Sequence, residues 1–283
     1  MIPCLVDAHV HLYDVLDPAR LLAAVARHRR AHAATTGLSP RAPAVLMLTQ
    51  TAAERPAEAV LAGMADWRIA GMGGDGALRL TAADGVADGE DDGAADKTAD
   101  GAAGPEGDIL VVPGRQAVSS EGLEVLALGH PGPLADSGTA ADTIRAAGDA
   151  GALPVLPWGV GKWTGERGAL ARTLLLDPPH PALAAGDNAG RLSAGPRPAL
   201  LAAAEAAGRA VLPGTDPLPL PSEAGKVLRY GFTMELDPDA PVRSLIDGLA
   251  AGRRPVPVGR LEGPLRFAVL QGAMQVRKRL GRR

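Results

Sequence analysis

An apolar run near the start of the chain leads directly into two histidines, His9 and His11, within residues 5–12 (LVDAHVHL). The run predicts a buried strand, and side chains two positions apart on a strand lie on the same face. Both imidazoles would therefore point into the cavity that the strand end lines. Because neutral imidazole is the commonest metal ligand, the pair predicts part of a metal site. The alternative is a pair of hydrogen-bonded strand-end histidines that bind no metal.

Short apolar segments alternate with amphipathic ones along most of the chain. Residues 44–49 (AVLMLT) are typical of a strand buried on both faces of a parallel sheet. Asp17 before Pro18 predicts the start of a helix. Residues 71–76 (GMGGDG) precede a strand pattern, which predicts a glycine-rich hairpin rather than a dinucleotide site. Regular alternation of strands and helices predicts an α/β barrel, in which the carboxyl ends of the strands meet at one mouth.

Composition limits the classes of function. The 283 residues suffice for one large domain, and the formal net charge of -3 argues against a nucleic-acid partner. The single cysteine, Cys4, excludes an internal disulfide framework and is compatible with a reducing cytoplasm. No apolar run approaches the roughly 20 residues that a membrane span needs. We therefore predict a cytoplasmic protein with no membrane segment. The composition is compatible with a monomer and with a homo-oligomer.

One tract interrupts the predicted domain. Residues 82–108 are rich in Ala, Asp and Gly and carry three consecutive acids at positions 90–92. Few large apolar groups and a run of like charge are typical of a flexible segment. We therefore predict a single domain over residues 1–283 with a disordered acidic insertion.

A second glycine-rich segment, residues 159–168 (GVGKWTGERG), follows another apolar strand pattern. Glycines let the backbone approach a ligand, and Lys162 and Arg167 supply positive charge. The chain has four lysines and twenty-five arginines, so lysine is rare here. A lysine at the end of a strand therefore indicates a specific role rather than an ordinary surface position. The segment predicts a contact to an anionic substrate, with an ordinary structural loop as the alternative.

Further polar residues follow the next short strand. Asp187, Asn188 and Arg191 come directly after residues 181–185. In an α/β barrel, ligand-binding residues gather at the carboxyl ends of strands, which predicts that these three contact the substrate. An ordinary turn is the alternative, because Asx-Gly loops are common turns.

Two motifs together resemble a known group of enzymes. The D-x-H-x-H that ends at His11 and the G-T-D that ends at Asp216 are similar to those of the amidohydrolases and of the PHP-type (polymerase and histidinol phosphatase-like) phosphoesterases. The resemblance implies a metal-dependent hydrolase on a TIM-type (β/α) barrel, distorted or seven-stranded forms included. It also implies that Asp216 completes the metal site or acts as general base on the metal-bound water.

The middle of the chain departs from the PHP pattern. Gln116 stands where the pattern has an acid, and Glu124 stands where it has a histidine. Glu124 can still ligate a metal, whereas the neutral amide of Gln116 is a poor substitute. No histidine follows Asp216, since Pro217 and Leu218 occupy those positions.

The leading hypothesis is a metal-dependent hydrolase that acts on a small anionic substrate, either a phosphate ester or an amide. One divalent zinc, manganese or iron ion would be held by four residues: His9, His11, Glu124 and Asp216. The catalytic groups would be Asp216 and Lys162, and the substrate would contact Lys162, Arg167, Asp187, Asn188 and Arg191. The alternative is a catalytically inactive barrel with a ligand-binding or scaffolding role, which the missing histidine and Gln116 favour.

Overall fold

The structure is a computed structural model. It describes residues 1–52, 54–61, 67–82, 107–130, 132–136 and 138–279. Almost all of the predicted acidic insertion, residues 83–106, lies outside the described residues.

Twelve described strands form two mixed sheets. The first sheet has seven strands in the order β12 (Val256–Gly259), β11 (Tyr230–Leu236), β1 (Ile2–Val10), β2 (Ala44–Leu48), β5 (Ile109–Val112), β4 (Leu78–Ala82) and β3 (Trp67–Met72). The second has five in the order β10 (Val211–Gly214), β9 (Ala184–Asn188), β8 (Leu153–Pro157), β7 (Glu124–Leu128) and β6 (Gly114–Val118). Strands β1, β2 and β5 are parallel, as are β8, β9 and β10, and all other pairs are antiparallel.

The described helices are α1 (Pro18–Thr36), α2 (Ala57–Leu61), α3 (Ala140–Asp149), α4 (Gly165–Leu176), α5 (Ala199–Ala206), α6 (Pro241–Ala250) and α7 (Pro264–Arg279), with a 3-10 helix at Pro221–Lys226. The predicted start of α1 is confirmed, because the Asp17 side chain accepts hydrogen bonds from the N–H groups of Ala19 and Arg20. None of the described helices combines the length and the apolar character that crossing a membrane requires.

The predicted TIM-type barrel is wrong. Such a barrel needs parallel strands that close into one sheet, whereas the strands described here divide between two sheets and leave no closed barrel. The physical reason is that tight turns join several neighbouring strands and make them antiparallel. The hairpin of β3 and β4 confirms the turn predicted at residues 71–76, and β6 and β7 form a second hairpin.

The two sheets approach each other at two places near the same strand ends. Gln50, just after β2, forms an isolated parallel bridge with Arg115 of β6. On the other side, the N–H of Asp216, just after β10, donates to the carbonyl of His9 in β1 at 2.8 Å. These contacts bring the ends of β1, β2 and β10 together.

The main core lies between the two sheets. Alternation along β1 directs Val6 and Ala8 into it and Leu5 onto the other face with α1. Val10 also packs on that other face, because the register of β1 shifts between Asp7 and Val10. Cys4 is a free, fully buried thiol of this core. The buried side chains from both sheets include Cys4, Val6, Val45, Met47, Leu126, Leu128, Val155, Leu212 and Phe232.

We expect the Phe232→Ala substitution to lower the free energy of unfolding by about 3–5 kcal/mol, because a fully buried ring would leave a cavity between the sheets. The matched control is Leu265→Ala, whose side chain is 83% exposed on α7 and should change stability by less than about 0.5 kcal/mol. Urea denaturation of both variants measures the difference. Equal losses would contradict this placement of the core.

Candidate metal centre

Three predicted ligands meet at one point. The Nε2 atoms of His9 and His11 are 3.2 Å apart, and the Asp216 Oδ1 atom lies 3.5 Å from the first and 3.8 Å from the second. One ligand atom from each residue lies within 4.8 Å of the other two, and both histidines are buried. Two imidazoles and one carboxylate form a donor set that zinc, manganese and iron accept. A triad of this kind also leaves coordination positions for water or substrate.

Close approach of two strands brings the triad together. Gly214 at the end of β10 lies so near β1 that a Cβ atom there would be 2.6 Å from the Cβ of His9. Glycine is therefore required for this contact. Asp216, two residues later, has a φ of 48° and donates its N–H to the His9 carbonyl. The turn thus directs the Asp216 carboxylate back over the histidines.

Asp7 holds the surrounding segments in place. Its Oδ1 accepts the N–H groups of His9 (3.2 Å) and Thr215 (2.8 Å), and its Oδ2 accepts the N–H of Leu228 (2.8 Å). Burial raises the pKa of the Asp7 carboxyl to about 6. The three N–H donors act in the opposite direction but do not cancel the effect of burial. Among the described residues, the non-glycine residues with positive φ are Asp216 (48°) and Leu228 (63°). Both lie beside Asp7, so its hydrogen bonds stabilise the strained backbone of the site.

Glu54, in the loop after β2, orients the second histidine. Its Oε1 lies 2.9 Å from Nδ1 of His11, and the same carboxylate accepts the N–H groups of Leu12 and Thr51. Burial alone would raise the pKa of Glu54, but the hydrogen bond from His11 lowers it. An ionised carboxylate only accepts, so His11 carries its proton on Nδ1 and leaves Nε2 free for a metal. Sequence reasoning missed Glu54, because no motif relates it to a histidine 43 residues earlier.

Protonation states agree with metal binding. Burial lowers the pKa of His9 to about 4, although the Asp216 carboxylate opposes this shift. Burial alone would raise the pKa of Asp216, but the neighbouring His9 and Lys162 lower it below its usual value. Neutral imidazole and ionised carboxylate are the forms that bind a metal.

Lys162 and Glu124 form an ion pair beside the triad. The Lys162 Nζ atom contacts the Glu124 Oε2 atom. Burial would lower the pKa of Lys162, but Glu124 and Asp216 raise it, so the side chain stays an ammonium ion. Glu124 therefore contacts the lysine, and it does not belong to the group of three ligand atoms. Its role as a fourth metal ligand stays a prediction.

The triad opens into a cavity of about 300 Å³. Near the triad its wall includes Lys162, Glu124 and Gln116. The Oε1 atom of Gln116 is buried and has no hydrogen-bond partner in the part of the chain that the structure describes. Helix α7 contributes an apolar wall that consists of Phe267, Leu270 and Met274. Sequence reasoning missed this wall, since α7 follows the triad by some fifty residues and carries no motif.

A buried charge cluster forms the far side of the cavity. The Lys226 Nζ atom lies 3.0 Å from Oε1 of Glu223 and also contacts Glu262. Arg229 approaches the same Glu262 carboxylate at 3.1 Å. These four side chains compensate one another, which permits their burial.

The predicted substrate residues do not all reach this cavity. Asn188 lines it, and the Asn188 Nδ2 atom donates to Asp216, so the amide orients a metal ligand. Asp187 points to the opposite face of β9, where both its oxygens accept from Arg191 at 2.9 Å. Arg167 is exposed on α4 and donates to the Gly161 carbonyl. Substrate contacts from Asp187, Arg191 and Arg167 remain untested predictions.

We expect Asp7→Ala to lower the free energy of unfolding by about 3 kcal/mol or more, since it leaves three buried N–H groups without an acceptor. Asp14→Ala is the matched control, because Asp14 is exposed and forms its ion pair in the described part of the chain with exposed Arg55, and should cost under about 1 kcal/mol. Thermal or urea unfolding compares the two. A loss no larger for Asp7→Ala than for the control would contradict the positioning role.

We expect Glu124→Gln to change zinc affinity by less than about threefold, whereas Asp216→Asn should weaken it by about tenfold or more, as loss of a direct ligand would. Competition against a chromogenic chelator gives both affinities. A weakening by Glu124→Gln as large as that by Asp216→Asn would show instead that Glu124 leaves Lys162 and ligates the ion.

No family model matches the chain, and no curated protein does. Among solved structures, the chain is similar to PsfC from Pseudomonas syringae PB-5123, with a TM-score of 0.47 and 17% sequence identity over 97% of this chain and 98% of that one. A similarity of this size carries no inference about function, and the resemblance to amidohydrolases and PHP-type enzymes stays a prediction.

Proposed function

We propose that the protein is a metal-dependent hydrolase that binds one divalent ion through His9, His11 and Asp216. The observation that carries the proposal is the convergence of these three ligand atoms within 4.8 Å, beside a cavity that His11 and Asp216 line. Zinc, manganese and iron remain the candidate ions, because all accept nitrogen and oxygen donors.

His9, His11 and Asp216 would hold the ion, which would act as a Lewis acid that activates water for attack on the substrate. Glu54 fixes the tautomer of His11, and Asn188 holds the Asp216 carboxylate. Asp216 would accept a proton from the attacking water through Oδ2, the oxygen that also accepts the Asn188 amide. The side chains therefore orient the reacting groups before a substrate arrives, which reduces the entropic cost of the reaction.

The positive charge of Lys162 favours a small anionic substrate. The Lys162 ammonium group lies at the cavity wall near the triad and forms an ion pair with Glu124. An anionic group or a developing oxyanion would find this positive charge beside the metal. The bond broken is a phosphate ester or an amide. The proposed location is the cytoplasm, which suits the unpaired Cys4 thiol.

A second candidate is a ligand-binding or scaffolding protein without catalysis. The observation in its favour is that Glu124 pairs with Lys162 and Gln116 is neutral, so the described ligand set stops at three residues. Metal content and hydrolytic activity, measured together, separate the two candidates.

We expect the purified protein to hold about one equivalent of zinc, manganese or iron, and the His9→Ala, His11→Ala double variant to hold less than about a tenth as much, since two of three ligands are lost. Inductively coupled plasma mass spectrometry measures both. His130→Ala is the matched control, because His130 contacts the Gly132 carbonyl in a turn outside the cavity.

Hydrolysis of small phosphate esters and amides by the metal-loaded protein should disappear in the double variant and persist in His130→Ala. Absence of metal from both the wild type and the reconstituted protein would refute the metal centre. Bound metal without hydrolysis of any tested ester or amide would favour the ligand-binding candidate.

A further inference from the structure

A separate cavity of about 560 Å³ lies away from the metal centre, beside the amino-terminal ends of β8 and β10. None of the described residues lines both this cavity and the cavity of the triad. Its volume falls within the range of small-molecule sites, roughly 300–1,000 Å³. Its apolar lining includes Leu153 of β8 together with Ile246 and Leu249 of α6.

The charges around this cavity all have one sign. Arg209 and Arg254 line it, and no Asp or Glu does so among the described residues. His180 is the other ionisable side chain in this lining. An apolar cavity with two guanidinium groups and no carboxylate is complementary to an organic anion.

Neither arginine has a carboxylate partner in the described part of the chain. Arg209 donates from Nη1 to the Pro181 carbonyl at 3.0 Å. Arg254 donates to two backbone carbonyls, those of Arg253 at 3.5 Å and Gly208 at 3.4 Å. Most of their donor groups therefore remain available to a ligand.

Arg209 also has an unsatisfied donor inside the protein. Its Nε atom is buried and has no hydrogen-bond partner among the described residues. Buried donors in native proteins are almost always satisfied, by protein, water or ligand. The Nε–H is itself out of reach of solvent, so a bound anion would contact Arg209 through its terminal Nη groups.

The neighbouring arginines behave differently. On the other side of Arg209 and Arg254 lies a further cavity that contains Arg191 and Arg197. Arg191 binds Asp187 through two hydrogen bonds of 2.9 Å, and Arg197 binds Glu205 through two of 2.6 Å. Arg209 and Arg254 also line that cavity, but its two carboxylates are occupied by Arg191 and Arg197, and neither of the first two arginines has an ion-pair partner among the described residues.

We propose that this cavity binds a small organic acid, with its carboxylate at Arg209 and Arg254 and its short hydrocarbon chain against Leu153, Ile246 and Leu249. The site is independent of the metal centre. The ligand class follows from the apolar wall and the uncompensated guanidinium groups together.

The test is isothermal titration calorimetry of the full-length protein with octanoate, with acetate and octylammonium as matched probes. Octanoate should bind at least about tenfold more tightly than acetate, which lacks the chain, and than octylammonium, which carries the opposite charge. Equal binding of octanoate and octylammonium, or no binding of octanoate, would overturn the proposal.

Variants assign the binding to this cavity. Arg209→Gln and Arg254→Gln should each weaken octanoate binding by about tenfold, whereas Arg243→Gln, which removes an exposed arginine paired with Asp247 on α6, should not. Arg254 is exposed, so its variant keeps the test valid if Arg209→Gln fails to fold. The His9→Ala, His11→Ala variant should bind octanoate like the wild type. Loss of binding there, or wild-type binding in Arg254→Gln, would contradict the assignment.

Discussion

The buried carboxylate of Asp7 joins β1 to two segments some two hundred residues later, those of Thr215 and Leu228. It accepts N–H groups from β1, from the turn after β10 and from the segment before β11. A buried charge is tolerated only where hydrogen bonds replace its hydration, and here backbone donors do so. Two of these bonds fix the backbone at Leu228 and next to Asp216, the described non-glycine residues with positive φ. The geometry of the candidate metal centre depends on this one interaction.

The candidate centre lies where the two sheets meet. His9 and His11 come from the first sheet and its following residue, whereas Asp216 follows the last strand of the second sheet. Contacts from further residues then fix each ligand: Glu54 sets the tautomer of His11, and Asn188 holds Asp216. Rigid strands on both sides keep the ligands in place before any ion binds, which is the arrangement expected of a preorganised site.

The sequence predicted the triad because its three residues belong to two short motifs, D-x-H-x-H and G-T-D. It placed Asp187 and Asn188 at one site, yet adjacent residues of a strand point to opposite faces. Asn188 therefore reaches the triad while Asp187 pairs with Arg191 behind it. It also predicted the β3–β4 hairpin and the start of α1, whose glycines and cap act locally. The barrel was predicted wrongly, because strand alternation does not reveal which neighbours are antiparallel.

The sequence by itself determined the local features: the strand that carries two histidines, the capped helix after Asp17, and a turn that ends in an aspartate. Each depends on residues a few positions apart, so short-range sterics and hydrogen bonding specify it. Only the tertiary structure decided that the strands form two sheets, that Glu54 and Asp7 support the triad, and that Arg209 and Arg254 share an apolar cavity without a carboxylate. These depend on contacts between segments separated by tens to hundreds of residues, and no local pattern encodes which segments meet.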